Sequence, residues 1–187
     1  MNSDDRTCAD PTAGRRLVEP ARFRAAFRQV PAPVAIVLVP GGALGITGIT
    51  CTSATSLSGE PPMAMLAADE KTRLAPLAER AGRFSINYLA ADRASWARAF
   101  ASRGRDLDEL AAVVVAGRTG VPTLATGTTA VLECRTAAAY RGGDHWILCG
   151  EVLHARSQTD AEPLLYLGGR YGTFQPANPQ PGPHPYP

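Results

Sequence analysis

The sequence predicts a mainly β protein with flanking helices, built as an antiparallel barrel. Three observations carry this. About six runs rich in apolar and β-branched residues have the length of strands. Connections such as RGGD, over Arg141–Asp144, have the composition of hairpin turns. The strand–helix alternation of a doubly wound sheet is missing, and no G-x-G-x-x-G opens a helix, which argues against a Rossmann-type nucleotide site.

Taken in order, residues 1–18 are polar, small and charged, and are expected to form a disordered lead-in to one folded domain over 19–174. A helix should start near Pro20, because Phe23, Ala26, Phe27 and Val30 recur at helical spacing, and Pro31 and Pro33 end it. Val34–Val39 reads as a buried strand and Pro40–Gly42 as a turn. The hydroxyl-rich GITGITCTSATSLSGEPP, from Gly45 to Pro62, reads as another extended segment. Pro62–Ala68 is a third strand, and TRLAPLAERAG holds a short helix closed by Gly82.

Arg83–Leu89 is a strand, and Arg93–Arg103 a helix with Trp96, Ala99 and Phe100 on one face. Residues 106–124 suggest a short helix running into a loop. Two strands, over 129–140 and 145–156, flank the RGGD turn. PLLYLGGRYG gives a short strand and a glycine-flanked loop, and the proline-rich stretch 175–187 an extended tail.

Composition narrows the function. A chain of 187 residues, 45% hydrophobic and 19% charged, suits one soluble domain. Its formal charge of +2 comes with scattered basic residues and no aromatic interleaving, which argues against nucleic acid. The 4 cysteines form no C-x-x-C pair and the 3 histidines no metal-ligand spacing, so no metal is expected and the thiols read as free and buried in a reducing cytosol. No apolar leader and no run of about 18 apolar residues is present, so a cytoplasmic protein is expected. Basic positions are arginine except for Lys71, a bias associated with GC-rich bacterial genomes that singles this lysine out.

Four places have the chemistry of a ligand site. The Thr/Ser/Gly stretch leaves backbone N–H groups open to a flat polar ligand, and reads equally well as an edge strand facing water. DEKTRL, Asp69–Leu74, puts Lys71, Thr72 and Arg73 at the mouth of a helix, which suits a phosphate as well as an ordinary cap. His145 opens a strand behind a flexible turn, and Arg170 and Tyr171 sit between glycines. No catalytic dyad or paired carboxylates compete with these.

The motifs FRQVPAPVAIV, GITCTSATSLSGEPP, DEKTRL, RFSINYL, LEC, GDH and PLLYLGGRYG, in that order and spacing, resemble the short-chain flavin reductases. These are the small components of two-component flavin-dependent monooxygenases. The resemblance covers roughly Phe23 to Phe174. It implies a split β-barrel of the FMN-binding type, a homodimer, and reduction of FAD or FMN by NADH or NADPH, with hydride passing from nicotinamide C4 to flavin N5. It also implies that reduced flavin leaves for a separate monooxygenase.

Carried over by position, Gly48, Thr50, Cys51, Thr52 and Ser53 would line the isoalloxazine and ribityl chain. Of the two registers in GITGIT, counting back from Pro61–Pro62 selects Thr50 rather than Thr47. Ala67 and Asp69 would lie along the flavin, Lys71 and Thr72 would hold its phosphate, and Phe84 and Asn87 would stand near the ring. His145, Arg170 and Tyr171 would meet the nicotinamide nucleotide. Where the family has a basic–Phe pair, this chain reads GRDLDELAAVV. A pyridoxamine-phosphate-oxidase-like enzyme and a non-catalytic flavin binder are the alternatives, distinguished by tight flavin retention with an organic substrate and by binding without NADH turnover.

Overall fold

The structure is a computed structural model that describes residues 17–41, 45–101 and 112–176. Of the expected lead-in, residues 1–16 lie outside these, as do Gly42 of the expected turn, residues 102–111, and 177–187 of the expected tail.

Seven antiparallel strands form the main sheet, in the order β3-β2-β6-β9-β10-β5-β4. They are β2 (Ala35–Pro40), β3 (Ile46–Cys51), β4 (Thr55–Gly59), β5 (Pro62–Asp69), β6 (Arg83–Leu89), β9 (Thr128–Gly142) and β10 (His145–Ser157). The sheet curls on itself, and its inner face packs a core that includes Val37, Ile49, Leu66, Phe84, Ile86, Cys134 and Leu148. No ladder joins β3 to β5, so the barrel is split along that line.

Helix α1 (Pro20–Phe27) precedes the barrel, with proline in its first turn as expected. The short strand β1 (Ala32–Pro33) follows it and pairs with β11 (Leu165–Leu167). Helix α2 (Leu74–Ala81) packs Leu74 and Ala78 into the barrel core and ends at Gly82, whose φ of 68° is the left-handed cap that glycine adopts without strain. Helix α3 (Ala94–Ala101) covers the outside of β2 with Ala97 and Phe100, making a second core with Ile36, Leu38 and Leu124. Both faces of β2 are therefore buried, which is why AIVLV is apolar without alternation.

Two segments differ from the sequence expectation. Where a loop is expected before Leu124, β7 (Val114–Ala116) and β8 (Pro122–Leu124) form a hairpin. Strands of three residues fall below the length at which periodicity is readable. Where a glycine-flanked loop is expected after Leu167, β11 turns through Gly168 and Gly169 into β12 (Arg170–Gly172). Both glycines have positive φ, 63° and 89°, as a tight hairpin turn requires.

Polar side chains fasten the β7–β8 hairpin to the barrel. On β6, Phe84 and Ile86 face the core, so Arg83, Ser85 and Asn87 face outward beneath the hairpin. Arg83 Nη1 donates to Thr119 O at 3.3 Å, and Ser85 Oγ to Pro122 O at 2.6 Å. Asn87 accepts from Leu124 N at 2.9 Å while its Nδ2 donates to Ile36 O and Ser85 Oγ.

Glu133 of β9 holds the hairpin's turn, accepting from the amides of Arg118 and Thr119 and from the Thr119 hydroxyl at 2.6–2.9 Å. Gly117 leaves room for that carboxylate, since a Cβ there would stand 2.6 Å from it. Burial pushes the Glu133 carboxyl up, but the Thr119 and Arg118 hydrogen bonds outweigh it and hold it below its ordinary value. Glu133→Gln should therefore cost about 1.5–3 kcal/mol at neutral pH. Because the folded value is depressed, that gap should narrow as pH falls below about 4, through the folded carboxyl's own titration. Urea midpoints of both proteins between acid and neutral pH check this.

Candidate functional site

The split between β3 and β5 organises the site. The β2–β3 ladder ends at the Ala35–Cys51 pair, and the β4–β5 ladder begins at Thr55–Met65. Residues 52–54 cross from one to the other, so their amides belong to neither ladder. Ser53 bridges the split: its hydroxyl donates to Ala67 O at 2.9 Å and accepts from Ala67 N at 3.0 Å. With that proton committed, the Cys51 thiol is left to donate, with Ser53 Oγ at 3.2 Å and Ala67 O at 3.9 Å in reach.

A groove of about 1300 Å³ runs over this seam. One wall is Thr50–Ser53 with Ala67 and Asp69; Lys71, Thr72 and His145 line it further along; and Pro20, Phe23, Arg24 and Phe27 of α1, with Phe100 of α3, also line it. Nine of the expected site residues therefore meet in one place: Thr50, Cys51, Thr52, Ser53, Ala67, Asp69, Lys71, Thr72 and His145.

The phosphate-type turn is built from its own backbone. Asp69 Oδ1 accepts from Lys71 N at 2.8 Å, and Thr72 Oγ1 donates to Asp69 O at 2.7 Å while accepting from Leu74 N at 3.3 Å. Thr72 thus caps the entry to α2, and Arg73 turns the chain in the left-handed region at φ 56°. The exposed Lys71 side chain takes no part in holding the turn.

The tip of the β9–β10 hairpin docks on this turn. Glu70 N donates to Asp144 O at 3.1 Å, and Arg141 Nη1 stands 3.5 Å from Glu70 Oε2. The Asp144 carboxylate accepts from His145 Nδ1 at 2.7 Å, which leaves Nε2 as the nitrogen for other partners. The hydrogen bond from His145, and then its charge, hold the Asp144 carboxyl below its ordinary value.

Five expected contacts stand outside the groove. Gly48 lies under α3, where a Cβ would come within 2.4 Å of Phe100, so its role is close packing. Phe84 is fully buried in the barrel and Asn87 belongs to the polar fastening of the β7–β8 hairpin. Arg170 is exposed on β12. Tyr171 packs with Tyr166, ring centroids 5.3 Å apart, and lies 5.2 Å under the Arg98 guanidinium. Residues the sequence reading missed are Phe23, Arg24, Phe27 and Asp144. The α1 periodicity reads as a core-facing stripe, and Asp144 was legible only as turn composition.

Two ionisable groups in and against the barrel core are held neutral. Burial pushes the Tyr88 phenol and the Cys134 thiol up to about 12, so both serve as core side chains. Among the described residues no cluster of His, Cys, Asp or Glu has the makings of a metal site.

Ser53 makes the two short hydrogen bonds across the seam, with the longer Cys51 Sγ to Ala67 O contact beside them, so its removal should act on both fold and site. Ser53→Ala is expected to lower stability by about 1 kcal/mol and to raise the KM for the ligand of the groove. Urea denaturation and steady-state kinetics read the two effects separately, and a destabilised variant with unchanged KM would make Ser53 scaffold alone.

Comparison with known proteins places these features in context. The profile of the flavin reductase like domain matches residues 27–175. The chain is 30% identical over 175 residues to the reductase subunit HsaB of a flavin-dependent monooxygenase from Rhodococcus jostii, covering 93% of this chain and 88% of that protein. It is 37% identical over 130 residues to the FMN reductase (NADH) SmoA of Agrobacterium fabrum, covering 70% and 72%. Among solved structures, the NADH:FAD oxidoreductase SgcE6 of Streptomyces globisporus, in complex with NAD and FAD fragments, superposes with a TM-score of 0.76 at 32% identity, over 87% of this chain and 99% of that one.

Proposed function

The chain belongs to the flavin reductase family, and on that premise we propose how its groove carries out the family's reaction. The activity is NAD(P)H-dependent reduction of FAD or FMN, which supplies reduced flavin to a separate monooxygenase. The observation that carries the assignment of the site is the convergence on one groove of the seam segment, the Lys71–Thr72 turn and His145.

These residues fit a flavin. The amides of Thr52 and Ser53 lie outside both ladders at the groove and suit the polar edge of a planar ring, while Cys51 and Ala67 line it with small side chains. Lys71 stands where the ligand's phosphate needs a cation. Bound together, flavin and reduced nicotinamide supply the chemistry themselves, a hydride passing from nicotinamide C4 to flavin N5.

The protein's part is to hold and polarise. Amide donors at the seam favour the negative charge that the ring gains on reduction. His145, its ring fixed by Asp144, offers Nε2 to the nicotinamide nucleotide. Gly168 N donates to Arg28 O at 2.9 Å and Arg28 Nη2 donates back to Gly168 O, which ties the β11–β12 hairpin carrying Arg170 and Tyr171 to the end of α1. No step requires an acid–base pair in the protein.

The working unit is a homodimer in the cytoplasm. Exposed Leu57, Tyr140, Leu153 and Leu167 are apolar surface for a second copy to cover, and no helix among the described residues is long and apolar enough to cross a membrane. Light scattering on the purified protein reads the dimer.

Oxidation of NADH and NADPH measured with FAD, FMN and riboflavin tests the activity. Turnover that depends on added flavin and needs no organic substrate is expected. No oxidation of either coenzyme with any flavin would overturn the reading.

A further inference from the structure

Lys71 is the cation that the groove offers to a phosphate, yet it stands among carboxylates. Asp69 and Glu70 directly precede it in the chain, and the docked hairpin tip brings a third, Asp144. The hydrogen bond and the charge of His145 hold the Asp144 carboxyl below its ordinary value, and the charge of Lys71 adds to them. A carboxylate free to reach the ammonium would compete with a phosphate for it.

Each of the three carboxylates has another partner. Asp69 Oδ1 accepts from the backbone N–H of Lys71 at 2.8 Å, and the Asp144 carboxylate accepts from His145 Nδ1 at 2.7 Å. Both of these partners are near neighbours in the chain. Glu70 is held instead from another strand, its Oε2 lying 3.5 Å from Arg141 Nη1. Among the described residues the Lys71 ammonium is itself in no ion pair.

Arg141 is well placed to hold Glu70. It stands near the end of β9, pairs with Trp146 across the hairpin, and lays its guanidinium 4.8 Å over the Trp146 ring. The Glu70 N–H on Asp144 O, at 3.1 Å, fixes the turn that carries the carboxylate. The Arg141 side chain is 62% exposed and that of Glu70 43%, so their pair adds little to the stability of the fold. Its consequence is where the Glu70 charge is kept.

We propose that Arg141 is a positioning residue for the flavin phosphate: it holds the Glu70 carboxylate away from Lys71 and so leaves the ammonium to phosphorylated flavins. The inference rests on the flavin-reductase reading of the groove. Arg141 acts through Glu70 and Lys71, and no chemical step is added.

The test uses the full-length protein with FMN and riboflavin, which differ only in the phosphate. Arg141→Gln removes the charge that holds Glu70. Calorimetric titration should show FMN binding weakened about two- to fivefold, the scale on which an exposed ion pair competes. Riboflavin binding should be unchanged, the KM for FMN in NADH oxidation should rise by the same factor, and the urea midpoint should stay at that of the parent. Adding Glu70→Gln removes the competing carboxylate, so the double variant should recover the FMN affinity of the parent protein. A merely structural role for Arg141 gives no such rescue.

Equal weakening for FMN and riboflavin would make Arg141 a clamp on the hairpin tip alone and overturn the proposal, as would a double variant that fails to recover FMN. Unchanged FMN affinity in Arg141→Gln would show that Glu70 stays off Lys71 unaided and refute it too, while flavin-dependent NADH oxidation leaves the reductase reading standing. If the unsubstituted protein oxidises neither coenzyme with any flavin, the reading beneath falls and the role of Arg141 with it.

Discussion

Asn87→Leu is expected to destabilise the protein by about 3–5 kcal/mol, a large part of the 5–15 kcal/mol that holds a domain of this kind folded. The side chain is fully buried and makes three hydrogen bonds, to Ile36 O, Ser85 Oγ and Leu124 N. Leucine leaves all of these partners with less than they need, and the low dielectric around them raises the cost. A urea midpoint shifted well below that of the parent protein, at unchanged slope, is the expected measurement. The flavin KM of the remaining folded fraction should not move, because Asn87 faces the β7–β8 hairpin rather than the groove. A raised KM with full stability would return Asn87 to the ligand site.

Lys71→Ala should have the opposite profile. The turn around it is held by the backbone N–H of Lys71 on Asp69 and by the Thr72 hydroxyl, both of which survive the substitution. Stability should therefore stay within about 0.5 kcal/mol of the parent, as for other exposed positions. A charge-assisted hydrogen bond is worth about 1.5–3 kcal/mol, so the KM for FMN should rise roughly 10- to 150-fold. Riboflavin has no phosphate for the lysine to meet, and its KM should be unchanged. Equal losses for FMN and riboflavin would place Lys71 elsewhere than at the phosphate.

Much of this was legible in the chain itself. Strand β6 coincides with RFSINYL, and Gly82 ends α2 where a glycine cap was expected. Lys71 stood out because arginine fills every other basic position. What escaped reading depends on which side of an element faces what. The F-I-Y and R-S-N alternation in RFSINYL marks two faces, but only the fold reveals that the outer face meets the β7–β8 hairpin. Gly48 and Thr50 stand two residues apart in GIT, yet one meets Phe100 beneath α3 while the other both donates to Ala97 O at 2.6 Å and reaches the groove. The same limit applies to α1, whose amphipathic stripe covers no core.

The serine-sealed split between β3 and β5 bears on how fast product departs. A closed ladder would have satisfied every amide along that line permanently. Here three residues cross between the strands, held by the Ser53 hydroxyl on Ala67 with the Cys51 thiol beside it, so a ligand can borrow the amides of Thr52 and Ser53 and hand them back to water on leaving. Dissociation then requires no barrel hydrogen bond to break. On the proposed reading of the groove, an unfinished sheet gives a binding wall with little hold on its guest, which suits a product that must travel to another enzyme.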